Sequence, residues 1–203
     1  MSLHISEKTR KKRKNQINKI KKETDFIIEK YEEKIYRIIK RKENIIKKQS
    51  QIYDVMITAF EEIISSVIKE VKKFYPNSFN EGSVVTLEDI LYQEDGETLE
   101  ERIKERLIDD PQKIQENLRR MSLIVETDGH RILYQTIKAK TKSDVTYIEI
   151  ELGGGECSTG ICLDYADEEI HPENDIDLPP YHPGCECEAI YYEFEDLIEA
   201  ENS

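Results

Sequence analysis

The sequence predicts a mainly α protein with a small α+β C-terminal zinc-binding domain and a long N-terminal helical arm. Three observations carry this. Residues 6–74 contain no Gly or Pro and place apolar residues at helical steps, after Ser143 the apolar period changes to two, and four cysteines gather with His182 between Cys157 and Cys187. The predicted organisation is a basic helical arm over 1–75, a helical region over 76–142 and an acidic strand and loop domain over 143–203.

In the arm, Ile27, Ile28, Tyr31, Ile35, Ile38, Ile39, Ile45, Ile46, Ile52 and Tyr53 follow a helical stripe. As one unbroken rod the stretch would extend about 100 Å at about 1.5 Å per residue, so its first half needs a partner. Beyond Gln49 the apolar face widens through Met56, Phe60, Ile63, Val67 and Val71, which predicts packing in a core. The seam before it is interrupted at Lys42 and Gln49, so a helical bundle or a rigid arm stands beside a coiled coil, and the arm is the favoured reading.

Pro76 to Gly82 reads as a loop. Thr86-Leu-Glu-Asp89 and Thr98-Leu-Glu-Glu101 have capping-box form and predict short helices near 87–92 and 99–108. Asp110-Pro111 opens a further helix with Ile114, Leu118, Met121 and Val125 on one face, broken at Gly129 and resuming to about Lys140. Ile148, Ile150 and Leu152 alternate with Glu149 and Glu151 in a strand with a polar outer face, bounded by Gly153-Gly154-Gly155, and a second strand runs from Ala189 to Phe194.

The net charge of -13 conceals a polarity along the chain. Residues 1–76 carry 20 Lys/Arg against 11 Asp/Glu, whereas residues 143–203 hold 18 acids and no Lys or Arg. The two ends are therefore expected to seek different partners. Lys8 to Lys22 holds nine cations and no carboxylate, making Arg10, Lys11, Lys12, Arg13, Lys14, Lys19, Lys21 and Lys22 candidate contacts for nucleic acid or an acidic protein surface. The absence of interleaved aromatics there weighs against base stacking and ranks the two partners equally. No apolar run is long enough to span a bilayer, and the first 22 residues lack the apolar core of a secretory signal, so synthesis in the cytoplasm is expected.

In a reducing compartment clustered cysteines read first as metal ligands. The pattern is Cys157-x4-Cys162, then His182-x2-Cys185-x-Cys187: two short ligand pairs joined by a loop, the arrangement by which small domains supply the tetrahedral sulfur and nitrogen set zinc prefers. Five residues compete for four places. Cys157, Cys162, His182 and Cys185 are the predicted ligands of one structural zinc ion, with Cys187 as the alternate. The loop between them is acidic and poor in large apolar residues, so a metal cross-link supplies stability a core cannot. With all places filled by protein, no open position remains for catalysis, and no enzymatic activity is expected. His171-Pro-Glu173 with Cys185 and Cys187 superficially matches the zinc deaminase signature, but the cysteine spacing is one residue too short, leaving His171 and Glu173 as ordinary loop residues.

Leu178-Pro-Pro-Tyr-His-Pro-Gly-Cys-Glu-Cys187, preceded by a cysteine pair and a Leu-Asp segment, resembles the C-terminal motif of the phage Mu F-like head morphogenesis (minor capsid) family. Glu126-Thr-Asp-Gly-His-Arg131 is similar to the helix that precedes the family's cysteines. The resemblance covers about residues 112–190. The cysteine pair is wider than usual, and Glu186 stands where Arg is common. The resemblance implies a structural minor virion protein of a tailed phage or phage-like particle, made in the host cytoplasm and located in the head or neck, acting in head or portal assembly or in genome packaging and delivery. It also implies portal or major capsid protein as partner, several copies per particle, and packaged DNA as a further partner of the basic arm. The alternative expectation is an effector or DNA-associated protein packaged in and delivered by such a particle.

Overall fold

Asn44 decides the shape of the N-terminal half. Its side chain accepts a hydrogen bond from the backbone N–H of Lys47 at 2.8 Å, an N-cap that starts a new helix where the periodic stripe alone would continue. In the computed structural model, α1 (Glu7–Ile39) therefore ends, the chain turns through Lys40-Arg41-Lys42, and α2 (Ile45–Phe74) folds back along it. The expected long arm is thus corrected to an antiparallel hairpin. The physical reason is burial: a single rod would leave the stripe in water, whereas folding back buries Ile17, Ile20, Ile28, Tyr31 and Ile35 of α1 against Met56, Phe60, Ile63 and Val67 of α2.

The structure describes residues 5–91, 97–153, 162–163, 170–173, 177–182 and 184–201. Two short helices follow the hairpin, α3 (Leu87–Leu91) and α4 (Leu99–Arg106), the latter closed by the predicted capping box between Thr98 and Glu101. A 3-10 turn (Pro111–Lys113) leads into α5 (Ile114–Lys140). The predicted break at Gly129 does not occur. A Cβ at Gly129 would lie 2.8 Å from the Ile28 side chain and 3.4 Å from that of Ile63, so this glycine serves close approach of α1 and α2 to α5, and the helix continues through it. α1, α2 and α5 pack together as a three-helix bundle.

Beyond α5 stand β1 (Thr146–Glu151), β2 (His171–Pro172) and β3 (Glu188–Glu193), forming a small antiparallel sheet in the order β2-β1-β3, followed by α6 (Phe194–Glu201). Ile148 pairs with Tyr191 and Ile150 with Ala189, and all four are buried in the same core as the bundle. The Tyr191 hydroxyl donates to the Tyr134 carbonyl of α5 at 3.1 Å, satisfying a polar group that burial would otherwise penalise. The three predicted segments thus share one hydrophobic core.

The alternation in β1 holds, but its polar face does not meet water. α1 lies beside the sheet and covers it with cations. Arg10 grips both carboxylate oxygens of Glu149 at 3.1 Å, Lys14 pairs with Glu151, and Lys21 reaches Glu188 at 2.7 Å. Arg13 is buried. Its Nε donates to Asp196 and its Nη2 to Glu193, both at 2.7 Å, its Nη1 to the Phe74 carbonyl at 2.7 Å, and its guanidinium stacks 4.8 Å from the Tyr75 ring centre. Burial alone would lower the Arg13 pKa; the hydrogen bond and charge of Asp196 outweigh it and hold the group above its ordinary value. The basic and acidic ends, expected to have different partners, are partners of each other.

Candidate metal centre

The residues around Leu178 to Cys187 are positioned by a tight turn. The Cys185 N–H donates to the His182 carbonyl at 3.1 Å, and Gly184 takes a φ of 75°, a left-handed conformation that glycine adopts without steric cost. The turn reverses the chain so that His182 and Cys185 point to the same place, and Cys187 follows directly before β3. The Pro179-Pro180 peptide is cis.

Cys162 meets this turn from the other side. Its Sγ lies 3.1 Å from His182 Nε2 and 3.7 Å from Cys185 Sγ, and the three ligand atoms fall within 4.8 Å of one another. Two thiolates on one tetrahedral zinc, at about 2.3 Å each, stand about 3.8 Å apart, so the Cys162 to Cys185 spacing fits the edge of such a tetrahedron. The donor set of two sulfurs and one imidazole suits zinc chemistry, and Cys162 is buried, which shields metal–sulfur bonds from water. This cluster can hold a metal ion.

Of the predicted ligands, the structure brings together Cys162, His182 and Cys185; Cys157 lies outside the described residues. The alternate, Cys187, is buried beside Cys162 and Cys185. Burial pushes its thiol up, and a hydrogen bond from the backbone of Gly153 works in the opposite direction, favouring the thiolate. Sequence reasoning treated Gly153 only as the end of a strand. A Cβ there would stand 2.4 Å from the Glu186 Cβ and 2.8 Å from its carbonyl carbon, so only glycine lets the strand end approach the Cys185-x-Cys187 segment. Tyr181 lies beside the same sulfurs and donates from its hydroxyl to the Asp177 carbonyl at 3.0 Å; burial first, then the neighbouring cysteines, raises its pKa.

Glu173 differs from the expected loop residue. It is 1% exposed, accepts a hydrogen bond from the Thr141 hydroxyl at 2.7 Å, and burial pushes its carboxyl up to about 7. His171 pairs in β2 opposite Ile148. The acidic residues Asp164, Asp167, Glu168, Glu169 and Asp175 of the intervening segment lie outside the described residues.

The candidate polyanion contacts divide into two groups. Arg13 is sequestered, Arg10, Lys14 and Lys21 are paired with the sheet, and Lys19 is paired with Glu70 at 3.1 Å. Lys11, Lys12 and Lys22 remain exposed. Among the described residues, no helix is long and apolar enough to cross a membrane. No protein-family model, curated protein or solved structure matches the chain.

Proposed function

We propose that this protein is a structural minor component of a tailed-phage or phage-like particle, and that Cys162, His182 and Cys185, with Cys157 or Cys187 as the fourth ligand, hold one structural zinc ion. The observation that carries the reading is the convergence of Cys162 on the His182-x2-Cys185 turn inside the segment that resembles the phage motif. A fourth thiolate would leave no coordination position for a substrate, which makes the site a clasp and not a reaction centre. The clasp would tie the loop from Gly153 to Cys187 onto the start of β3 and so hold the acidic lobe against α1.

A pre-formed bundle with a clasped lobe suits a part that must keep one shape while docked to portal or major capsid protein. The particle is the place to test this. Mass spectrometry of purified heads, tails and empty particles is expected to find the chain in the head or neck fraction, in several copies. Its absence from every particle fraction overturns the assembly role and leaves the metal site to be judged separately.

A further inference from the structure

Four of the lysines that α1 does not spend on the sheet fall into line. Lys8, Lys12, Asn15, Lys19 and Lys22 are exposed and spaced by four and three residues, which places them on one face of α1 along about 27 Å together with Phe26, at about 1.5 Å per residue. Phe26 ends the row and is 68% exposed, an unusual setting for a phenyl ring on an otherwise cationic face. It borders a groove of about 620 Å³ between α1 and α2, lined also by Lys19, Lys22, Ser65, Ser66 and Lys69.

Two carboxylates line this groove, of which Glu62 is paired with a lysine and Glu23 only with a hydroxyl, while Glu70 outside the lining is paired with lysines. Glu23 accepts from Ser66 at 3.2 Å, and Glu62 holds Lys30 at 2.7 Å and the Tyr31 hydroxyl at 2.8 Å. Glu70 takes Lys19 at 3.1 Å and Lys73 at 3.8 Å. Lys22 and Lys69 line the same groove as Phe26, and no ion pair is seen for either among the described residues.

From this arrangement we infer that the α1 and α2 groove is a binding site for single-stranded nucleic acid, with Phe26 as the stacking platform and the lysine row as the track for the phosphates. A bare ring at the end of a cationic row supplies the two elements that sequence-tolerant single-strand sites combine, a π-face for a base and charges spaced along a helix for the backbone. Duplex bases are stacked on one another and cannot take the ring's face. The sequence had shown no aromatic between the cations; the structure places one directly in line with them. This site is separate from the metal centre and stands whether or not that centre binds zinc.

The chain has no tryptophan, so Phe26→Trp places its one indole, excited selectively over the tyrosines, at the proposed platform. Titration of the full-length variant with an oligothymidylate of about 16 nucleotides is expected to quench it saturably. With Lys8, Lys12, Lys22 and Lys69 neutralising phosphates, log K should fall against log salt with a slope of about -3, and Lys22→Gln or Lys69→Gln should each reduce that slope by about 0.7. Phe26→Ala should weaken binding about 5- to 150-fold, the loss of one stacked base. Absence of quenching, equal quenching by a matched duplex, or binding indifferent to Lys22→Gln and Lys69→Gln overturns the inference. A concentration-dependent blue shift without nucleic acid also overturns it, since it would mark the groove as a face between two copies. Unchanged circular dichroism of each variant confirms that the fold is retained, as expected for substitutions of exposed side chains.

Discussion

The helical bundle and the C-terminal lobe are held together by different forces. The bundle buries isoleucines, Met56, Phe60 and Val67 between three long helices, and its stability follows the apolar area removed from water. The lobe has three short strands, a sheet whose carboxylates are matched by the cations of α1, a buried Glu173, and the Cys162, His182 and Cys185 cluster. These polar contacts add to the apolar residues Ile148, Ile150, Ala189 and Tyr191, by which the lobe joins the core of the bundle. The difference teaches that a basic helix and an acidic lobe, which look in the sequence like two surfaces for two external partners, form an internal interface.

Breaking that interface at its buried point should have the largest effect. Arg13→Ala leaves Glu193 and Asp196 without their cation and is expected to destabilise the protein by about 3–5 kcal/mol. Lys12→Ala, one residue away and exposed, should stay within about 0.5 kcal/mol. Urea denaturation of the two variants measures both, and equal effects would contradict the division between spent and exposed cations.

The second prediction concerns pH. Glu173 has its carboxyl pushed up to about 7 from an ordinary 4.5, so the folded state holds a proton that the unfolded state has released. Its contribution to stability is therefore full below about 4.5 and is lost as pH rises through about 7, by as much as about 3 kcal/mol. Glu173→Gln still accepts from Thr141 and removes the slope. Thermal denaturation from pH 4 to pH 8 should show the variant gaining on the parent protein as pH rises. A parallel pair of curves would mean that Glu173 is ionised in the fold.

A smaller effect is expected at the edge of the lobe. Gly153→Ala places a methyl group against the Glu186 backbone and should cost about 1–3 kcal/mol. Hydrogen exchange is expected to rise in β1 and β3 and to stay unchanged in α2. A uniform change over the whole chain would argue that lobe and bundle unfold as one unit and would weaken the comparison.

The helices were legible because their apolar periods and caps are local signals: α3, α4 and α5 begin where Thr86, Thr98 and Asp110 predict. The hairpin was not read because the Ile27 to Tyr53 stripe continues across the turn, and the one signal against it, Asn44 ahead of Ile45, is short beside so long a repeat. The cluster of Cys162, His182 and Cys185, which can hold a metal ion, was visible from its spacing. The roles of Gly129 and Gly153 were not, since close approach depends on what lies opposite, and the same holds for Arg13, whose partners are 180 and 183 residues away.

The claim that the lobe is clasped by zinc is tested most directly by metal analysis of the purified full-length protein with X-ray absorption at the zinc edge. The account predicts one zinc per chain bound by three sulfurs and one nitrogen, lost in Cys185→Ser together with the protease resistance of residues after Ser143, while the helical signal of the bundle persists. A protein that is metal-free as purified, takes up no zinc when it is supplied and keeps a protease-resistant lobe would contradict it.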